Sequence, residues 1–117
     1  MKKPDECANI HEIRAEIDRL DHRIVSTIAE RQLYVRAASK YKNSEREVKD
    51  PRRLAMMLRQ RRNWAQEEGL DPDAIERLFH DLVNHFAQEE LTQWKASRQG
   101  PQNGAAKATC GAARPFR

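Results

Sequence analysis

Three ionisable residues stand where the pattern around them asks for aliphatic ones. Arg31 falls in a row at seven-residue spacing otherwise made of Ile10, Ile17, Ile24 and Ala38. Glu90 is the fourth step of the stripe Phe79, Val83, Phe86, Glu90, Trp94. Lys42 follows Arg31 by eleven residues, which on one continuous helix is about 20° around and roughly 16 Å along. A charge withdrawn from water must be paired. Two cations and a carboxylate on apolar seams therefore suit either an internal ion pair or a polar pocket for an anion, the usual place for a ligand in a helical bundle. Arg14 flanks the same seam, roughly 42 Å from Lys42 at 1.5 Å per residue. Both can serve one small ligand only if Arg14 comes from a second subunit, and a two-fold dimer of long helices would then hold two equivalent sites.

The elements that must position these groups are helical. Asn9 with Glu12 reads as an N-cap and its reciprocal carboxylate, which starts a first helix at Ile10. The rows Ile10, Ile17, Ile24, Arg31, Ala38 and Ile13, Leu20, Thr27, Tyr34, Tyr41 make a coiled-coil-like seam. No Gly or Pro occurs between residues 10 and 42, so the spacing predicts one helix over that whole range. It would be about 50 Å long and would outspan a small globule, a length that a dimer would bury. Residues 43–49, "NSEREVK", read as a loop. Asp50-Pro51 opens a second helix that runs to about Glu68 and is closed by Gly69. Asp71-Pro72 opens a third, with the stripe Ile75, Leu78, Phe79, Leu82, Val83, Phe86, Leu91 and Trp94. The expected fold is all-α, one long helix and two shorter ones in residues 1–98, followed by a disordered tail over 99–117, where periodicity ends.

The bulk properties exclude several classes. The chain has 117 residues, one small domain. No apolar run approaches the roughly 20 residues that span a bilayer, and "MKKPDECANI" lacks the apolar core of a signal peptide, so no membrane partner and a cytoplasmic location are expected. All 18 acidic residues and 18 of the 22 Lys and Arg lie in 1–97. The net charge of +4 therefore belongs to Arg98, Lys107, Arg114 and Arg117 at the C-terminal end, poor support for a nucleic-acid-binding face. The best feature for such a face is "DPRRLAMMLRQRR", whose arginines read as a solvated surface with one ligand contact. Cys7 and Cys110 are two inert thiols with no metal-ligand spacing. His11, His22, His80 and His85 lack the i, i+4 spacing of a helical metal site and read as surface residues. Trp64 and Trp94 read as packing anchors. No metal and no cofactor is expected.

In order and separation, Arg14 in "HEIRAEIDRLD", Arg31 and Lys42 in "ERQLYVRAASKYK", "VKDPRR" and "LFHDLVNHFAQEEL" resemble the all-helical chorismate mutase family. The stretches "MKKPDEC", "RRNWAQEEGLD" and "QWK" are closer to its salicylate-forming branch, the isochorismate pyruvate-lyases of siderophore pathways. The resemblance covers residues 1–98 and implies an intertwined homodimer that needs no cofactor. It assigns the two substrate carboxylates to Arg31 and to Arg14 of the partner subunit. It gives Lys42 a carboxylate and the ether oxygen of the enolpyruvyl group, makes Glu90 the second group at that oxygen, adds Arg53 as a further basic position, and makes 43–49 a lid. Opening the C–O bond of a dianionic enolpyruvyl ether concentrates negative charge on that oxygen. Fixed cations and donors in a dry pocket stabilise it while holding the side chain folded over the ring. No nucleophile or general base is required.

Two departures bear on the reaction. Where the mutases carry a glutamate for the ring hydroxyl of chorismate, this chain has Leu54, which suits isochorismate and elimination to salicylate and pyruvate. Where the lyases have glutamine, it has Glu90, a pure acceptor when ionised and a donor when protonated. Full activity is accordingly expected to need a proton on Glu90. Chorismate mutase activity is the alternative, and a non-catalytic helical dimer or interaction module is a further one that explains the caps and heptads but not Arg31, Lys42 and Glu90 together.

Overall fold

The computed structural model describes residues 1–98. The expected tail, 99–117, lies outside them. All regular structure among the described residues is helical: α1 (Ile10–Ala38), α2 (Glu45–Val48), α3 (Pro51–Glu67) and α4 (Pro72–Arg98), with 3₁₀ turns at Pro4–Glu6 and Ser39–Tyr41. The all-α expectation holds, and α4, at 27 residues, is nearly as long as α1 at 29. Two compact units divide the chain, Met1–Val35 and the part from Arg36 onward.

In the first unit the start of α1 is capped as expected on one side only. Asn9 Oδ1 accepts from the Glu12 N–H at 3.0 Å. The Glu12 carboxylate accepts instead from the Ala8 N–H and from Lys2 Nζ, both at 2.8 Å, which ties the preceding 3₁₀ turn to the helix. The Ala8 N–H, seconded by Lys2, holds the Glu12 carboxyl below its ordinary range. The apolar row along α1 lies open, with Ile10, Ile17, Leu20 and Ile24 all exposed, Ile24 at 58%. The one buried residue of α1 is Gln32, 3% exposed, which belongs to neither seam.

In the second unit the expected helix over 10–42 is cut short. Regular α-helix stops at Ala38 although neither Gly nor Pro intervenes. The Ser39 hydroxyl donates to the Arg36 carbonyl at 2.7 Å, an intrahelical acceptor taken by a side chain, as Ser does where helices tighten or end. One 3₁₀ turn follows, closed by Lys42 N–H to Ser39 O at 3.2 Å. Lys42 then leaves in extended conformation, φ −99° and ψ 134°, so it is not carried on the helix face that the eleven-residue spacing implied.

Residues 43–49 are likewise not a bare loop. Ser44 caps α2 by accepting from the Glu47 N–H, and Glu47 reaches back to the Asn43 N–H at 2.8 Å. This is a local capping arrangement of the S-x-x-E type. Val48, buried, seats α2. Helix α3 begins at the Asp50 cap, which accepts from the N–H groups of Arg52 and Arg53, with Pro51 at the first position. It ends at Gly69, φ +77°. There Leu70 N–H bonds Ala65 O at 2.8 Å and Gly69 N–H bonds Gln66 O at 3.2 Å, the paired reversal that satisfies terminal carbonyls and needs a left-handed residue. Asp71 opens α4, accepting from the Asp73 N–H at 2.9 Å.

Helix α3 packs along α4, and α2 against α4. Met57 and Ala65 are buried in this unit. Arg62 joins α3 to α4 by donating to Asp73 and Glu76, both at 2.7 Å. Its guanidinium holds the Asp73 carboxyl below the ordinary range. Arg61 lies over the Trp64 ring at 4.7 Å and the Phe79 ring at 5.6 Å, contacts of the cation–π type. Two of the five arginines in "DPRRLAMMLRQRR" are thus engaged within the fold and are not a free basic face.

Candidate active site

Of the residues that the sequence singles out, the structure brings Lys42 and Glu90 together. Lys42 reaches its place because the chain has left the helix by then, and Glu90 because α4 carries it inward on the apolar stripe. Lys42 Nζ donates to Glu90 Oε2 at 2.9 Å. Glu90 is only 4% exposed, while the Lys42 side chain is 25% exposed. A carboxylate so deeply withdrawn is tolerable because an ammonium satisfies it at hydrogen-bond distance, and removal of the ammonium would strand a buried charge. This is the internal ion pair that the spacing allowed.

Four residues beyond Glu90, on the same face of α4, Trp94 donates its indole N–H to the Lys42 carbonyl at 3.1 Å. Lys42 is therefore gripped through its ammonium and through its main chain by one helix. Next to Trp94, Lys95 Nζ lies 3.6 Å from Glu45 Oε2 at the start of α2. The segment that the sequence suggests as a lid is thus attached to α4 at Lys42 and Glu45 and seated by Val48. Sequence reasoning placed Trp94 only as a packing anchor. The available signal was its i, i+4 relation to Glu90 together with the demand of a part-buried indole N–H for an acceptor.

The remaining candidates are placed less specifically. Arg53 is exposed on the first turn of α3, where its main-chain N–H contributes to the Asp50 cap at 3.3 Å. Leu54 beside it is half-buried. Arg14, exposed, and Arg31, half-buried, belong to the first unit. Next to Arg31, both amide atoms of Gln32 are buried without a hydrogen-bond partner. Hydrophobic periodicity does not reveal such a polar residue.

A depression of about 330 Å³ on the second unit is lined by Asp73, Glu76, Arg77, His80 and Asp81. Three carboxylates among five residues give it the wrong sign for a dianion. Among the described residues no group of three His, Cys, Asp or Glu is placed to hold a metal ion. His11, His22, His80 and His85 are exposed, Cys7 is half-buried with a free thiol, and Cys110 lies outside the described residues. Among the described residues no helix is long and apolar enough to cross a membrane.

The arrangement can therefore present an ammonium, backed by a buried carboxyl group, at a fixed point beside α4. Comparison with known proteins gives that point a chemical context. Residues 13–91 match the family described as chorismate mutase type II. The chain is also similar to a protein of Pseudomonas aeruginosa named isochorismate pyruvate lyase, 40% identical over 98 residues, covering 84% of this chain and 97% of that protein.

Proposed function

This chain belongs to the chorismate mutase type II family, and we propose that it is an isochorismate pyruvate lyase, an enzyme that converts isochorismate to salicylate and pyruvate. The observation that carries the reading is the Lys42–Glu90 pair at 2.9 Å, a cation from outside α4 brought onto a buried carboxyl group within its otherwise apolar stripe. The similarity to a lyase along nearly its whole length supports it. Leu54, where the mutases bind a ring hydroxyl with glutamate, favours isochorismate over chorismate.

In the reaction the ether C–O bond opens. The hydrogen on the neighbouring, hydroxyl-bearing ring carbon passes to the enolpyruvyl methylene, which becomes the methyl of pyruvate. The ring gains its third double bond and is released as salicylate. Atoms and electrons balance with no other reactant. Charge gathers on the ether oxygen as the bond stretches, and the Lys42 ammonium is the donor we assign to it, stabilising the transition state more than the ground state. Glu90 would be the second group there. As a carboxylate it can only accept, so it must carry a proton to donate to an electron-rich oxygen.

Arg31 and Arg14 of the partner subunit would hold the two carboxylates, with Arg53 as a further basic contact. This assignment requires a homodimer. The exposed row Ile10, Ile17, Leu20 and Ile24 supports one, because a stripe of that kind asks for a partner helix. The same reading puts the enzyme in the cytoplasm and its product in siderophore assembly.

The test offers the purified protein isochorismate and chorismate separately, following salicylate fluorescence and prephenate. Salicylate with an equal amount of pyruvate from isochorismate is expected. Prephenate alone would replace this reading with mutase activity, which the family match also accommodates. Turnover of neither would leave a binding or structural dimer.

A further inference from the structure

Lys42 is asked to aim a flexible side chain, and the helix that precedes it does not do the aiming. Regular helix has ended at Ala38, and the backbone at Lys42 is extended. Its direction is set by what holds its main chain. On one side Lys42 N–H bonds Ser39 O at 3.2 Å, a local contact that closes the turn. On the other, Lys42 O accepts from Trp94 Nε1 at 3.1 Å, across 52 residues of chain. Glu90 and Trp94 are four residues apart, roughly 6 Å along α4, a span comparable with the reach of a lysine from main chain to ammonium. One helix face therefore holds the base of Lys42 with an indole and its tip with a carboxyl group.

We propose that Trp94 is a positioning residue: by fixing the Lys42 carbonyl its indole N–H aims the Lys42 ammonium and moors the segment Lys42–Val48 on α4. This rests on the lyase reading for its kinetic consequence, though not for its structural one. Electrostatic catalysis depends on donors fixed before the charge develops, so loosening the base of Lys42 lowers kcat more than substrate binding, which Arg31 and Arg14 of the partner subunit would anchor. The Lys95–Glu45 contact at 3.6 Å, with half-exposed side chains, is a weaker second tie. The indole is the one that reaches the main chain of Lys42.

The experiment uses the full chain with Trp64→Phe, which leaves Trp94 as the sole tryptophan and is expected to keep the parent kcat. Trp94→Phe removes the N–H. Replacement of Trp94 by benzothienylalanine removes it while keeping the bicyclic shape, so a loss of packing is separated from a loss of the hydrogen bond. The expected result for the isostere is a kcat on isochorismate roughly three- to tenfold lower, the size of one neutral hydrogen bond. KM should stay within about twofold, and amide hydrogen exchange across Asn43–Val48 should be faster. An isostere with the parent kcat, or with unchanged exchange in that segment, overturns the positioning role. A parent protein that releases no salicylate from isochorismate overturns the lyase reading instead, and the two failures are told apart by the parent assay alone.

Discussion

The apolar face of α1 and the apolar face of α4 are built from the same kind of pattern and meet opposite fates. On α4, which packs against α3 and α2, the stripe is half-buried except at Leu78, and a carboxylate placed within it is buried and paired. On α1, the seven-residue row Ile10, Ile17, Ile24 and its neighbours Ile13 and Leu20 in the second row are as regular, yet each stands exposed. Periodicity specifies which residues share a face; it does not specify what covers that face. The difference separates a face largely covered within the chain from one that stays open along its described residues.

The comparison is broken most severely at Lys42. If Lys42 is the donor at the ether oxygen, as proposed, Lys42→Ala should lower kcat roughly 10²–10³-fold, measured by salicylate release. The unpaired Glu90 should also lower the thermal midpoint. A kcat within threefold of wild type would show that the α4 side does no chemistry. On the α1 side, Ile17→Asp places a charge in the open row. If the proposed homodimer forms along that row, sedimentation should show a monomer, with activity at least tenfold lower because the proposed contact from Arg14 of the partner subunit would be lost. A variant that stays dimeric would mean the row has another purpose.

Glu90→Gln sharpens the account of the buried pair. If residue 90 serves as a donor at the ether oxygen, the amide, which can always donate, should keep kcat/KM at or above the wild-type value. A loss of more than tenfold in the amide variant would reject that role. Smaller effects test the scaffold. Asp50→Ala removes the acceptor for two N–H groups at the start of α3; it should cost about 1 kcal/mol and lower the midpoint by roughly 4–8 °C.

The smallest effect concerns Arg62. Because Arg62 holds the Asp73 carboxyl below its ordinary range, the stability from that pair is present above the unfolded value, about 3.9, and is lost as pH falls through the lower folded one. Asp73 is largely exposed and Arg62 partly so, so salt should weaken the effect. Arg62→Gln should flatten the acid limb of the stability curve slightly, and an unchanged acid limb would show that the pair contributes nothing.

Much of this molecule is legible in local chemistry. The helix starts at Asn9, Asp50 and Asp71 and the stop at Gly69 follow from capping groups within four residues of the ends they satisfy, and they lie where the sequence indicates. So does the anomaly of Glu90, a carboxylate in an aromatic stripe. Three features were not legible. Regular helix ends at Ala38 where no breaker stands. The Glu12 carboxylate turns to Ala8 and Lys2, not to the cap residue. Gln32 is buried although neither seam contains it.

By itself, then, the sequence determined the helical class, the element boundaries marked by caps and glycine, the faces of α1 and α4, and the chorismate mutase resemblance. These depend on interactions between residues close in the chain or on residue types in order. Only the tertiary structure decided that Lys42 leaves its helix, that its ammonium meets Glu90 across 48 residues and its carbonyl meets Trp94 across 52, and that 42–48 is moored on α4. Contacts at that separation arise from how helices pack, and no periodicity within a single helix encodes them.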